Sequence, residues 1–219
     1  MNSTRYIIST DSIPTKGIGF LTVYDPSALR EGVDELLRKG AVSIFVNGAV
    51  SSSEQQGLLL SPSYDQMSLS RSLQDIAAPE GKLTLKPLTR RVGAAFLSMY
   101  NECIITHLFH STQSIADLEW LLSDQWLTGI AWLGEIPVGI YECQLTEQGT
   151  RLHAFALLKD WRGKGLGREL LRQVLNQLPG DTVSTQVDSN SAAFHLLRSE
   201  GFRAEDLVAS WHRVEVIPE

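Results

Sequence analysis

Cysteine is scarce in this 219-residue chain: Cys103 and Cys143 are its whole complement, and they form no CxxC pair. Two such thiols make neither a disulfide framework nor a structural zinc site. A reduced, cytoplasmic setting is therefore expected. Long apolar runs are missing as well; none approaches the ~18 residues that suggest a membrane span. The start, Met1-Asn-Ser-Thr-Arg-Tyr, lacks the apolar stretch of a secretory signal. No membrane partner is expected. Nor is charge of one sign concentrated in either half. Nineteen Lys and Arg stand against 25 Asp and Glu, a net −6, and residues 1–80 and 81–219 carry −3 each. Neither half is a basic arm, so bulk charge gives no reason to expect nucleic acid. Gly-X-Y periods and long heptad arrays are absent too, which excludes collagen and coiled coil. What remains, 43% hydrophobic and 20% charged, is the composition of a globular chain.

Hydropathy patterning supplies the elements. Ala77-Ala78-Pro79-Glu80-Gly81 reads as a linker, dividing an N-terminal segment, 1–78, from a domain at 82–219. After it, Leu83 to Lys86 alternates as a strand. Val92, Phe96, Met99 and Cys103 share a helical face, as do Ile115, Leu118 and Leu122, with a loop over 107–113 between them. Apolar runs at 129–133 and 136–145 flank Gly134-Glu135, a hairpin signal. Ala154 to Leu158 is apolar on both faces, as a central strand is. Leu166, Leu170, Leu171, Val174, Leu175 and Leu178 form one helical stripe. A strand at 182–187, a helix at 191–200 closed by Gly201 and a strand at 207–216 complete a β-α-α-β-β-β-α-β-α-β order. This is mixed α/β.

The chemically informative stretch is Leu157-Leu-Lys-Asp-Trp-Arg-Gly-Lys-Gly-Leu-Gly-Arg168. An apolar strand enters a glycine-rich turn and then an amphipathic helix, whose N-terminal N–H groups and dipole attract anions. Lys159, Arg162, Lys164, Arg168 and Arg172 supply counter-charge. A tight connection bearing solvated basic residues is the bland alternative. No GxxxxGK[ST] is present, and GxGxxG fails, because its third glycine position is Arg168 or Leu170.

The pattern Arg162-x-x-Gly165-x-Gly167 resembles the acyl-CoA pyrophosphate loop of the GNAT superfamily of N-acetyltransferases. Asn190-Ser-Ala-Ala193-Phe-His-Leu196-Leu-Arg-Ser-Glu-Gly201-Phe202 resembles that family's second motif, and the element order from residue 82 matches its fold. The resemblance implies a GNAT-like acyl-CoA N-acyltransferase fold preceded by a smaller α/β segment. It implies acetyl-CoA as co-substrate and direct transfer to a primary amine of a small molecule or peptide; a homodimer is compatible with it. By the same analogy the strand ending at Leu157 and Leu158 pairs with the pantetheine arm, and a backbone N–H near Leu157 polarises the thioester carbonyl. Arg162, Gly163, Lys164, Gly165, Leu166, Gly167 and Arg168 hold the pyrophosphate. Asn190 bonds the cofactor, caps a helix, or does both. One position departs from the family: the tyrosine that often protonates the leaving thiolate is Leu197 here.

Two residues are candidates for the general base. His153 lies on the strand leading to Leu157 and alternates onto its face; Glu142 lies on the preceding strand. His107 and His110 form an HxxH without a third ligand at set spacing, so no metal is expected. The five tryptophans are mostly core candidates. An acyl-CoA-binding protein with weak or no catalysis is the rival reading, motivated by Leu197. A generic nucleotide-binding domain rests on the glycine turn alone.

The first eighty residues show a strand at 19–24, a helix at 28–38 with Leu29, Val33, Leu36 and Leu37, and strands at 41–46 and 67–73. A shift of 141 lays the two later strands onto 182–187 and 208–214. A degenerate half-copy of the acetyltransferase fold, without a cofactor loop, is one reading; an unrelated α/β extension is the other.

Overall fold

The computed structural model describes residues 4–51, 53–74, 76, 81–105, 107 and 110–217. Of the expected linker only Gly81 lies within them, and the loop expected at 107–113 is described in part. The chain forms two compact units. One comprises Met1–Met67, Val187–Phe194 and Asp206–Glu219; the other comprises Ser68–Gln186 and His195–Glu205. The units are discontinuous in sequence, unlike the expected division between 78 and 82, because strand pairing groups the chain's last strand with its first ones.

The first unit opens with β1 (Tyr6–Ser9), α1 (Ile13–Lys16), β2 (Ile18–Val23), α2 (Leu29–Arg38), β3 (Ser43–Gly48), β4 (Glu54–Gln55) and β5 (Leu58–Ser72). β2 and β3 run parallel from Ile18↔Ser43 to Val23↔Gly48, with α2 as the crossover between them. Leu29, Val33 and Leu36 recur at helical spacing and pack on Leu21 and Val23 of β2 and Ile44 and Val46 of β3. Each buried leucine contributes about 1.5–3 kcal/mol. Leu37, expected on that stripe, is 41% exposed, since one further residue turns ~100° off the buried face. Pro26 opens the turn into α2, and Asp25 Oδ1 accepts the Ser27 N–H at 2.9 Å.

The second unit holds β6 (Leu83–Pro87), α3 (Gly93–Ile104), α4 (Leu118–Leu121), β7 (Trp126–Leu133), β8 (Ile136–Thr146), β9 (Gly149–Leu157) and α5 (Leu166–Leu175). β10 (Thr182–Asp188), α6 (Ala192–Ser199) and β11 (Arg203–Val216) follow and, like β5, carry residues of both units. The element order read from the sequence is found. β6 to β9 form an antiparallel meander, and β10 joins β9 in parallel. Gly134, at φ +60°, makes the two-residue turn between Leu133 and Ile136. In the first unit β11 pairs antiparallel with β3 through His212↔Val46.

Two helices cover opposite faces of β8 and β9. Phe96, Leu97, Tyr100, Cys103 and Ile104 of α3 pack on Ile130, Ile140 and Ala154, with Ala156 and Leu158 beside them. Leu157 alternates to the other side, where its side chain meets the start of α5 at Gly167. Ile115, expected to share the α4 face, is 75% exposed, because α4 is one turn long and Ile115 sits in the 3₁₀ turn before it. None of the tryptophans is fully buried; Trp120 is exposed and the other four are half-buried.

Gly48 ends β3 at φ +94°, and a Cβ there would lie 2.2 Å from the Val23 carbonyl oxygen, a backbone atom that cannot swing aside. Gly48→Ala is expected to destabilise the protein by about 2 kcal/mol or more. Urea unfolding monitored by far-UV circular dichroism checks this; an unchanged midpoint contradicts it.

Candidate active site

The glycine-rich turn joins β9 to α5. Gly163 and Gly165 have φ +75° and +80°, and a Cβ built on either would meet nothing within 4 Å. Open space therefore lies above the loop. Gly165 occupies the N-cap position of α5 and offers no capping side chain. The first N–H groups of a helix have no intrahelical acceptor. An uncapped N-terminus under open space fits an anion such as a pyrophosphate. Lys164 is exposed, its Nζ 4.9 Å from the centre of the Trp161 ring, and Lys159 is exposed beside it.

The expected arginine ligands are otherwise engaged. Arg162 Nε donates to the Leu157 carbonyl at 2.9 Å and its Nη2 to the Cys103 carbonyl at 3.0 Å, tying the loop to α3. Arg168 and Arg172 both pair with Glu200, at 3.0 and 2.7 Å, and Arg168 also donates to Ser199 Oγ. The Glu200 side chain is only 5% exposed, a burial that paired guanidinium groups permit. The loop thus offers backbone N–H groups and two lysines, with Arg162 and Arg168 serving as braces.

The strand before the loop has a free side. Leu158 N–H donates to the Val138 carbonyl at 2.9 Å. In an antiparallel ladder the neighbouring pair, Gly139↔Leu157, is then the non-hydrogen-bonded kind, so the Leu157 N–H and carbonyl turn away from β8. They turn toward the β10 side. There the parallel register holds only at Thr150↔Val183 and Arg151↔Ser184, with Thr185 Oγ1 donating to the Leu152 carbonyl at 2.8 Å. Of the two expected leucines, Leu157 has its N–H on the open side, whereas that of Leu158 is spent on β8.

Asn190 is exposed, and its own N–H donates to Asp188 Oδ1 at 2.9 Å. The cap of α6 is Ser191, whose Oγ accepts the Phe194 N–H at 3.0 Å. Leu197 is 1% exposed.

The two base candidates differ sharply. Glu142 is 3% exposed on β8, where burial pushes its carboxyl up to about 7 against the opposing hydrogen bond from Gln113. Gln113 Nε2 donates to Glu142 Oε2 at 2.7 Å. Directly across on β7 stands Thr128, whose Oγ1 is buried without a partner among the described residues, as is Gln113 Oε1. His153 is pushed the other way, down to about 4, first by burial and then by Arg151. Its Nε2 lies 3.2 Å from Gln144 Oε1, and its ring centre is 5.0 Å from that of Trp126.

The His153 side chain is not on the face of Leu157, as alternation predicts. The β8–β9 register passes from Glu142↔Ala154 to Cys143↔Leu152, leaving His153 as the extra residue of a bulge that turns it toward Trp126. Gln144 also lines an open groove of about 490 Å³ with Thr146, Arg151, Ser184 and Gln186. No group of three His, Cys, Asp or Glu able to hold a metal occurs among the described residues. The His107 and His110 rings stand edge to face at 6.2 Å. Gln113 escaped the sequence reading; it sits in an irregular segment with no motif around it.

The chain is similar to known proteins. Residues 94–202, from α3 through the loop to the Gly201-Phe202 pair, match the acetyltransferase (GNAT) family. The N-alpha-acetyltransferase RimI of Mycobacterium tuberculosis is 34% identical over 87 residues, which are 39% of this chain and 49% of that protein. The chain thus spans about half the length of this curated relative. Two solved structures share the fold across nearly the whole chain. One, a GCN5-related N-acetyltransferase from Sphaerobacter thermophilus, is 18% identical, with 97% of this chain and 76% of that one aligned at a TM-score of 0.64. The other, a functionally unknown conserved protein from Staphylococcus epidermidis, is 12% identical over 100% and 93%, at 0.63. Element order, the Arg162-x-x-Gly165-x-Gly167 turn and the family match over 94–202 converge, and the chain belongs to the GNAT superfamily of acetyltransferases.

Proposed function

We propose that this protein transfers an acetyl group from acetyl-CoA to a primary amine of a small molecule or peptide, with Glu142 as general base. The observation that carries this is a buried carboxyl, titrating near neutrality, on β8 beside the strand whose Leu157 N–H faces an open edge. Bound acetyl-CoA supplies an electrophilic thioester carbonyl: the amine nitrogen forms the new C–N bond, the C–S bond breaks, and CoA leaves as thiolate. The chain's residues do the rest. N–H groups from Gly163 to Gly167, with Lys159 and Lys164, hold the pyrophosphate. The Leu157 N–H polarises the carbonyl. Glu142 accepts the amine's proton, directly or through water; a base titrating near the working pH does this best. His153, neutral and weakly basic, is the poorer acceptor. Leu197 brings no proton, so the thiolate departs unprotonated. That buried leucine is also what favours the second reading, acyl-CoA binding without turnover.

The N-terminal segment reads as a half-copy that binds no cofactor. It repeats the strand-helix-parallel strand unit in β2-α2-β3, but Asp25 fills the turn with its own carboxylate where the second unit has Gly165. An anion is repelled there.

Gly165→Val places a side chain in the space now open above the loop. It is expected to weaken acetyl-CoA binding at least about tenfold in isothermal titration calorimetry, while the backbone strain costs about 1 kcal/mol of stability. Unchanged affinity sinks the proposed phosphate site.

Glu142→Gln is expected to lower acetyl transfer, followed as free thiol release over an amine panel, by about 10²–10⁴-fold. Stability gives a second readout. The Glu142 carboxyl holds its proton more tightly in the folded chain than in the unfolded one. Its contribution is therefore full below about pH 4.5 and is lost as pH rises through about 7, an effect of about 3 kcal/mol at most. The substituted protein lacks that decline, so it should gain on the native protein across this window. Equal slopes in both proteins contradict the assignment.

A further inference from the structure

We propose that Asn101 is a positioning residue for Glu142: its side-chain amide clamps the backbone of Gln113, and the Gln113 amide is thereby held on the Glu142 carboxylate. This rests on Glu142 as the base, and its geometry stands independently. Asn101 lies on the buried side of α3, one turn before Ile104. Its Nδ2 donates to the Gln113 carbonyl at 2.8 Å, and its Oδ1 accepts the Gln113 N–H at 2.8 Å. The two bonds mimic a ladder pair, and they fix a residue that belongs to no helix or strand. The Gln113 Nε2 then reaches the carboxylate at 2.7 Å.

The chemistry suits a carboxyl that must gain and lose a proton without leaving its place. The Gln113 Nε2 donates to the ionised form. Its Oε1, buried and without a partner among the described residues, is an acceptor available to the protonated form. A primary amide can serve both states, whereas a cation would lock the carboxyl ionised and an apolar neighbour would lock it neutral. Among the described residues, the ionisable groups that act on Glu142 or feel it include Asp117, Tyr100 of α3 and its own neighbour Cys143; Asp117 opposes ionisation, and burial keeps the phenol and thiol neutral. None of these three is a cation, and Gln113 is a partner through which the carboxylate is stabilised.

The test is a double-substitution cycle on the full chain. The midpoint of Glu142 is read by carbon NMR of ¹³C-labelled glutamate, with its signal assigned through Glu142→Gln. Asn101→Ala and Gln113→Ala should each raise the proton affinity of Glu142 about tenfold, the loss of one bond to a charged acceptor. The double variant should match Gln113→Ala alone, because Asn101 acts only through Gln113. If Asn101→Ala leaves the midpoint unmoved, or adds to the effect of Gln113→Ala, the proposal is overturned. Should Asn101→Ala not fold, Asn101→Thr, which keeps one hydroxyl for the clamp, enters the same cycle with a smaller expected shift. Acetyl transfer is read separately: the acid limb of its pH profile should follow the NMR midpoint in each variant. A coupled midpoint with turnover indifferent to Glu142→Gln supports the clamp and refutes Glu142 as the base.

Discussion

Two residue pairs, Thr150 with Val183 and Arg151 with Ser184, set where β9 and β10 part company. Parallel strands normally satisfy their backbone along their whole shared length. Here the register stops early, and β9 continues to Leu157 with half its backbone groups turned toward an unpaired edge. A free edge is a liability in most sheets. In this one it is where a ligand's amide groups can take the place of a missing strand. The loop begins directly beyond Leu157, so the open edge and the uncapped helix N-terminus are consecutive along one stretch of chain. Arg162, bonded to the Leu157 and Cys103 carbonyls, holds that junction at a fixed angle.

The two strand-helix turns of the chain show what decides whether such a junction binds an anion. Before α2, Asp25 accepts the Ser27 N–H, and its own negative charge satisfies the helix start. Before α5, Gly165 supplies no acceptor, and the N–H groups stay open. Backbone topology is alike in both, a helix crossing between parallel strands. The second turn differs in its uncapped Gly165, its flanking glycines and lysines and the open edge of β9, which is why the phosphate reading belongs to it alone.

Much of the second unit was legible because its signals are local and long. A leucine stripe over α5, the apolar run of β9 and the Gly134-Glu135 hairpin each follow from local patterning and turn chemistry. Short or polar elements were not legible. β1 and α1 have four residues each, too few for a period. β5 runs from Leu58 through Pro62 to Ser72 with its buried positions shifting from Leu58, Leu60 and Tyr64 to the opposite parity at Leu69, so only its final third looked like a strand. The bulge at His153 was invisible, since it is a property of two strands in register and not of either alone. The arginines misled for a similar reason. Proximity to glycines suggested phosphate ligands, yet Arg168 and Arg172 are drawn to Glu200, more than twenty residues on.

Glu142 shows what the fold gives up to bury a carboxyl. A leucine in its place would pack with Ile140 and Ala154 and would need no partner. A carboxyl there costs stability whenever it ionises, because burial penalises the charge. Evenly balanced forms require that penalty to be offset in part and only in part. One hydrogen bond from a neutral amide, about 1.5–3 kcal/mol to a charged acceptor, is about the right size; an arginine would overshoot. The clamp of Asn101 on Gln113 makes that bond dependable in a segment without regular structure. Local burial and hydrogen bonding, rather than net charge, therefore set the proton affinity of Glu142. The evenly distributed −6 of the whole chain does not decide the titration of the carboxylate, which burial pushes up, the Gln113 amide pulls down and Asp117 pushes up again.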